Sequence, residues 1–213
     1  MRSITTLSTA FLALTILGAC GSEGETGGGA AGDADAAMTA VASEELSCWL
    51  RGATPAEAMD RPSPLGDTDI VMGGTVGKFC YGRPSARGRQ VEGGLIPFGD
   101  PWRLGANEAT AIHLAVPVRV GSVDLDPGSY SIYTIAGESE WEIVLNAEAK
   151  RWGIPIADEV RANDIGSFMV PVETVGEPVE TLTATWEPGG ADNGNLVVAW
   201  GTTQVRIPVA RQS

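Results

Sequence analysis

The sequence predicts a mainly β domain, an antiparallel β-sandwich or barrel-like sheet with one or two short helices. Three observations support this fold class. Apolar and polar residues alternate with a period of two, turn signals separate the alternating stretches, and helical patterns are scarce. The 28 glycines and 13 prolines in 213 residues agree with many short strands joined by tight turns.

The helix signal lies early in the chain. In "TPAE" (54–57), a threonine at the N-cap, a proline at the first helical position and a glutamate at the third form a capping box. We expect one short helix there, ended by Pro62 and Pro64. A second helical turn is expected in "AEAKRWG" (147–153).

Strand signals dominate the rest of the chain. In "WEIVL" (141–145), "TLTATW" (181–186) and "QVRIPV" (204–209), every second residue can face a core. Trp186 and Trp200 are in phase with these apolar faces, so we expect them to fill the core. The turn signals between strands are Gly73-Gly74, Gly121-Ser122, Asp126-Pro127-Gly128, Gly137 and Gly189-Gly190.

Residues 1–19 predict an export signal, because a basic residue precedes an apolar run that is too short to span a membrane. The stretch "LGAC" (17–20) resembles the lipobox of bacterial lipoproteins, in which the cysteine is lipidated and becomes the mature N-terminus. An ordinary cleaved signal would instead leave Cys20 as a free thiol. Gly21, rather than Asp, resembles the sorting signal for the outer membrane. We therefore expect an exported lipoprotein anchored in the outer membrane or facing the periplasm.

Residues 20–43 predict a flexible linker, because they are mostly Gly, Ala, Asp, Glu and Ser and cannot bury enough apolar surface to fold. Residues 44–213 are long enough for a single domain with a full core.

Cys48 and Cys80 are the cysteines that remain after Cys20, in a compartment that permits disulfides. A bridge would close a loop of about 33 residues, worth roughly 3 to 4 kcal/mol. Two unpaired buried thiols are the alternative. We expect no metal site or other cofactor, since neither cysteine sits in a CxxC pair and His113 is the single histidine.

The alternation stops between residues 81 and 110, where the chain is rich in Gly, Pro and Arg. Such a long irregular segment in a compact domain is usually functional or disordered. A cluster of its arginines can hold a carboxylate, phosphate or sulfate group. The candidate ligand-binding residues are Arg83, Arg87, Arg89, Trp102, Arg103 and Asn107.

A competing interpretation of the same arginines is structural. Acids lie in the same block, and an arginine–carboxylate lattice would pin the segment onto the sheet. The number of nearby acids favours this lattice over an open anion pocket. The acids are Glu92, Asp100 and Glu108.

Candidates for catalysis are few. Glu108 is the only obvious general base of the segment, and Asn107 could donate a hydrogen bond to a substrate. His113 lies in "AIHLAV" on the face opposite its apolar neighbours, where a strand-surface or hydrogen-bonded histidine is favoured over a proton shuttle. Ser85 and Ser131 lack the GxSxG context of a nucleophile.

The block "YGRPSARGRQVEGGLIPFGDPWRLGANEAT" (81–110), with "GSYSIYTI" and "EWEIVLN" after it, resembles the domain of unknown function 2911 family. Its members are exported bacterial proteins with an R-P-S-x-[KR]-G-R stretch and a W-R-x-G-A-N-E-A-T stretch. The resemblance runs from about residue 71 to residue 208. It implies export but no particular reaction.

The net charge of -13 and the pI near 4.4 argue against nucleic acid as a partner. The leading hypothesis is a lipid-anchored extracytoplasmic binding or interaction module, attached to the membrane through Cys20. Segment 81–110 is then its recognition surface for a small anionic ligand or an envelope protein. The first alternative is a cell-envelope hydrolase with an arginine-lined anion pocket and Glu108 or His113 as base. The second is a purely structural surface protein.

Overall fold

The computed structural model describes residues 46–212, which form ten strands and two short helices. The predicted export signal, Cys20 and the linker lie outside these residues and stay predictions. The helices are α1 (Pro55–Met59) and α2 (Asp158–Arg161). The strands are β1 (Leu65–Val71), β2 (Thr75–Gly82), β3 (Pro101–Trp102), β4 (Ala111–Leu114), β5 (Val118–Val120), β6 (Val123–Leu125), β7 (Gly128–Ala136), β8 (Glu140–Asn146), β9 (Asp164–Pro188) and β10 (Asn193–Arg211).

The strands form one antiparallel sheet in the order β1-β2-β4-β7-β8-β9-β10-β5-β6, with β3 paired to β7. All five predicted turn signals lie at connections between consecutive strands of this sheet, with Gly128 as the first residue of β7. The predicted fold class, mainly antiparallel β with short helices, is confirmed. Of the two architectures left open, a closed barrel is not formed, because the strand order does not return from β6 to β1.

The last two strands are longer than the short strands that the sequence predicts. Strand β9 has 25 residues and β10 has 19. Strand β9 pairs with β8 as far as Pro171 and with β10 from Val172 onward. The β9–β10 register shifts on both sides of Gly201, whose φ of 62° favours glycine. Strand β9 therefore links two parts of the sheet, the part that ends at β8 and the part that begins with β10.

The inner faces of both parts bury one core. Apolar residues from β2, β4, β7 and β8 join those from β5, β9 and β10 in the same cluster. Trp200 is buried within it, and Trp186 packs against it from a half-buried position. Trp200 therefore fills the core as its strand phase predicts, whereas Trp186 covers the edge of the core from a half-buried position.

Helix α1 has the predicted capping box, in which the Thr54 side chain accepts a hydrogen bond from Glu57 N–H and the Glu57 side chain accepts one from Thr54 N–H. The helical turn expected at 147–153 is wrong, and the second helix forms at 158–161 instead. The backbone of 147–153 is engaged elsewhere, since Trp152 forms a β-bridge with Glu108. Within residues 46–212, no helix is long and apolar enough to cross a membrane.

Candidate functional site

The irregular segment 81–110 is anchored to β9 by its backbone. The N–H of Leu182 donates to the carbonyl of Pro84 at 2.9 Å. The hydroxyls of Ser85 and Thr181 lie 2.7 Å apart in a hydrogen bond. The segment is mostly irregular, as the sequence predicts, and of the two outcomes that the sequence left open, functional or disordered, it is not disordered.

Two exposed arginines of this segment donate to backbone carbonyls. The Arg89 guanidinium donates to the carbonyls of Ala86 and Ser85, both at 2.9 Å. The Arg87 guanidinium donates to the carbonyl of Pro62 at 3.0 Å. These carbonyls lie in irregular backbone, where they need donors from outside a strand ladder.

The other two arginines follow the same pattern in half-buried positions. Arg103 Nε donates to the carbonyl of Gly105 at 3.1 Å, and burial lowers the Arg103 pKa. Arg83 contacts the carbonyl of Leu182 and the hydroxyl of Thr183, each at 3.4 Å. None of the four guanidinium groups forms an ion pair with a carboxylate of the described residues. The favoured arginine–carboxylate lattice is therefore wrong, and the arginines pin the segment through carbonyl oxygens instead.

Two of the acids expected in that lattice are placed differently. Glu92 Oε1 accepts hydrogen bonds from the backbone N–H of Thr202 at 2.6 Å and from the Thr203 hydroxyl at 3.2 Å. Burial opposes ionisation of Glu92, but these hydrogen bonds lower its pKa overall. Asp100 is exposed. Glu92 thus binds β10 next to the register shift at Gly201, and it forms no ion pair with an arginine of the described residues.

Glu108 is buried and ties the N-terminal segment, residues 46–64 before β1, to the rest of the domain. Its Oε2 accepts from Arg61 Nη1 at 2.7 Å, and its Oε1 accepts from the Arg51 N–H at 3.0 Å. It lines a cavity of about 20 Å³, which is large enough for about one water molecule. With both oxygens engaged, Glu108 serves as an anchor and is poorly placed as a general base.

Trp102 and Asn107, two candidate ligand-binding residues, have structural contacts. Trp102 is buried, stacked on Trp200 and edge-on to Trp141, with ring centroids 6.0 Å apart in each pair. Asn107 Nδ2 donates to the carbonyl of Ser63 at 2.8 Å. The structure therefore does not gather the predicted ligand-binding residues around one pocket.

The predicted disulfide is confirmed. Cys48 and Cys80 are bridged, with Cα atoms 5.6 Å apart and a sequence separation of 32 residues. Cys80 lies on β2, so the bridge fastens the N-terminal segment to the outer face of the sheet, opposite the core. The disulfide and Glu108 thus hold the same segment in place.

His113 lies on this outer face. In the register of the sheet it faces Lys78 on β2 and Ser129 on β7. Its Nδ1 and the Ser129 hydroxyl are 2.7 Å apart, while its Nε2 is buried and has no hydrogen-bond partner. The residue is 2% exposed, so it does not lie on the open strand surface, and the expected hydrogen-bonded histidine is found at Nδ1 but not at Nε2.

The environment of His113 favours the neutral imidazole. Burial is the largest cause, and the positive charges of Lys150 and Lys78 add to it, lowering the His113 pKa from 6.5 to about 4. Lys78 is itself paired with Asp67 and Asp69, each at 2.6 Å. Lys150 is exposed and forms no ion pair within residues 46–212.

An open groove of about 750 Å³ lies between the N-terminal segment and this face of the sheet. His113, Ser129 and Lys150 line one side, and Cys48 and Trp49 are among the residues that line the other. The groove and the small cavity beside Glu108 are distinct pockets on either side of Trp49 and Leu50, which line both. The two catalytic candidates, Glu108 and His113, therefore do not converge on one site.

A scan against protein-family models matches residues 63–209 to a family described as "Protein of unknown function (DUF2911)". The chain belongs to the DUF2911 family. Neither the curated proteins nor the solved structures give a significant match to this DUF2911 protein.

The family match covers only one side of the groove. His113, Ser129 and Lys150 lie inside the matched range, whereas Cys48 and Trp49 precede it. In the described part of this DUF2911 protein, no group of three or more His, Cys, Asp or Glu residues is placed to hold a metal ion.

Ser129 and Lys150 are absent from the candidates that the sequence yields. One signal was present in composition, because the chain has only two lysines, Lys78 and Lys150, and one histidine. The structure brings Lys78, His113 and Lys150 together, although they span more than 70 residues of the sequence.

Proposed function

We propose that this protein is a membrane-anchored binding module of the cell envelope, and that its ligand site is the groove beside His113. The groove replaces segment 81–110, with its arginines, as the proposed recognition surface. The arginines already donate to protein oxygens, whereas the groove is open and is lined by His113, whose buried Nε2 has no partner among the described protein groups.

The unpartnered Nε2 of His113 is the observation that carries this proposal. Buried polar atoms are almost always hydrogen-bonded, so an orphaned one at a groove marks a position where a ligand or water would complete the bonding. The volume of about 750 Å³ lies within the usual range for ligand pockets. A ligand at Nε2 would therefore supply the hydrogen-bond partner that no protein group of the described residues supplies.

A binding role fits this geometry better than base catalysis. A general base works best with a pKa near the operating pH, and the His113 pKa is about 4. If His113 accepted a proton from Ser129, it would become an imidazolium. The positive charges of the two nearby lysines would destabilise that imidazolium. Because Glu108 is held by Arg61, the hydrolase alternative has no well-placed base.

Attachment to the membrane through Cys20 is part of the proposal and is supported by the "LGAC" sequence. The Gly- and Ala-rich linker would hold the domain away from the bilayer. We expect mass spectrometry of the mature protein to find lipid on Cys20, and Cys20→Ala to leave the membrane fraction. A variant that remains in the membrane as wild type does would contradict the anchor.

A thermal-shift screen of small polar compounds against the exported protein tests the binding site. Ligands of the groove raise the melting temperature of wild type. Ala53 lines the groove, so Ala53→Trp should fill it and abolish these shifts. Arg89→Gln is the matched control on the arginine segment and should leave them unchanged. Shifts that survive Ala53→Trp but vanish in Arg89→Gln would assign binding to the arginine segment instead.

A further inference from the structure

The charges around the groove are unusual for this protein. The chain carries a net charge of -13, yet no carboxylate is among the groove-lining residues of the described chain. The charged lining residue is Lys150, an exposed cation. Glu148 lines a neighbouring pocket together with Lys150, but the groove itself has, among the described residues, a single lining charge, which is positive and favours a negatively charged ligand.

The charged groups that face His113 differ in how free they are. Lys78, across the sheet on β2, is neutralised by Asp67 and Asp69 from β1. Lys150, on the segment after β8, has no such partner within the described chain, and the lining residues of the N-terminal segment are uncharged. Lys150 therefore has an ammonium group available for an incoming anion.

His113 can supply a second contact. When the Ser129 hydroxyl donates to Nδ1, the proton of the neutral imidazole is on Nε2, which then is a donor without an acceptor. An anion oxygen at Nε2 would accept that hydrogen bond. The anion would also offset the lysine charges that disfavour the imidazolium, so that His113 binds a proton more readily when the ligand is present.

We infer that the groove binds a small oxyanion, such as a carboxylate or phosphate group, between the Lys150 ammonium and Nε2 of His113. The inference rests on the proposed function, in which this groove is the ligand site. Binding is coupled to proton uptake by His113, so affinity increases as the pH falls from 7 toward 5.

His113 is the only histidine of the chain, so the ¹⁵N resonances of its ring report on the site without ambiguity. We would titrate the mature full chain, labelled at histidine nitrogen, with sulfate at constant ionic strength. Sulfate keeps its charge between pH 5 and 7, so that any pH effect belongs to the protein. We expect a saturable change at Nε2, a His113 pKa above its starting value of about 4, and several-fold tighter binding at pH 5 than at pH 7.

Two variants provide the controls. Lys150→Met should weaken sulfate binding by about tenfold, the equivalent of one lost charge-assisted contact. Arg119→Gln also removes one positive charge but lies away from the groove, paired with Asp124, and should bind as wild type does. Equal binding by wild type and Lys150→Met, or no saturable change at Nε2, overturns the inference.

The two proposals fail in different ways. A neutral compound that stabilises wild type but not Ala53→Trp, together with no sulfate effect at Nε2, keeps the groove as a ligand site and overturns the anionic class. If no compound shows a shift that depends on Ala53, and sulfate also leaves Nε2 unchanged, the proposed function itself is overturned. If sulfate does bind at Nε2, titrations with phosphate and acetate compare the shapes of oxyanion that the site accepts.

Discussion

Acidification should destabilise this protein through His113, and a His113→Gln variant should lack that part of the loss. The native pKa of His113 is lowered to about 4, first by burial and then by Lys150 and Lys78, from an ordinary value of 6.5. The unfolded chain therefore takes up a proton at His113 between pH 6.5 and pH 4, while the native protein does not. The stability due to the neutral histidine is complete above pH 6.5 and is lost as the pH falls through this window.

The size of the loss follows from the two pKa values. With 6.5 in the unfolded chain and about 4 in the native protein, linkage gives a loss of about 2 kcal/mol at pH 5 and about 3 kcal/mol at pH 4. Such a loss is a large fraction of the stability of an ordinary domain. It applies without a ligand, because a bound anion would raise the native pKa and reduce the loss.

Urea unfolding followed by tryptophan fluorescence at pH 7, 6, 5 and 4 measures this effect. Carboxylates also titrate at the acidic end, but they do so in both proteins, so the difference between wild type and His113→Gln isolates the histidine. Lys150→Met should show an intermediate loss, because one of the two cations is removed while burial remains. Parallel curves for wild type and His113→Gln would refute a depressed His113 pKa.

Three further predictions concern the N-terminal anchor and the arginines. Replacing Cys48 and Cys80 together by alanine should lower the free energy of unfolding by about 3 to 4 kcal/mol, and two alkylatable thiols in the native exported protein would contradict the bridge. Glu108→Gln keeps the shape but loses the charge, so it should cost about 2 to 3 kcal/mol by urea unfolding, and an unchanged midpoint would argue against its anchoring role. Arg103→Lys should lower the melting temperature because the guanidinium is half-buried, while Arg87→Lys should have little effect because that side chain is exposed, and the reverse order would contradict these placements.

In segment 81–110, the sequence predicts the irregular backbone but not the partners of the side chains. The sequence identifies "RPSARGR" as irregular and rich in donors, and the structure agrees. It also offers nearby acids as partners, but Glu92 and Glu108 are held by β10 and the N-terminal segment, respectively. Closeness in sequence favours such pairings only when the backbone brings the side chains together, and in an irregular segment it need not.

The sequence by itself determined strand-forming stretches, though not the lengths of β9 and β10, together with the turns, the capped helix and the two cysteines available for a disulfide. Each depends on local pattern or on composition: period-two alternation, the φ preferences of glycine and proline, a side chain that caps its own helix, and two cysteines left to pair. The first three signals act between residues close in the sequence. The pairing of the cysteines follows from their number and does not require knowledge of their positions in the fold. The helical turn expected at 147–153 is wrong because that backbone pairs with a distant segment.

Only the tertiary structure decided which residues share the groove. Lys78, His113 and Ser129 lie on three different strands, and they become neighbours through the antiparallel register of β2, β4 and β7. Lys150 reaches them from the segment after β8, and the disulfide supplies the opposite wall. A shift of one residue in that register would turn His113 into the core, yet no local pattern in the sequence specifies the pairing. The long-range burial of the whole sheet sets the register, and so the candidate site appears only in the folded protein.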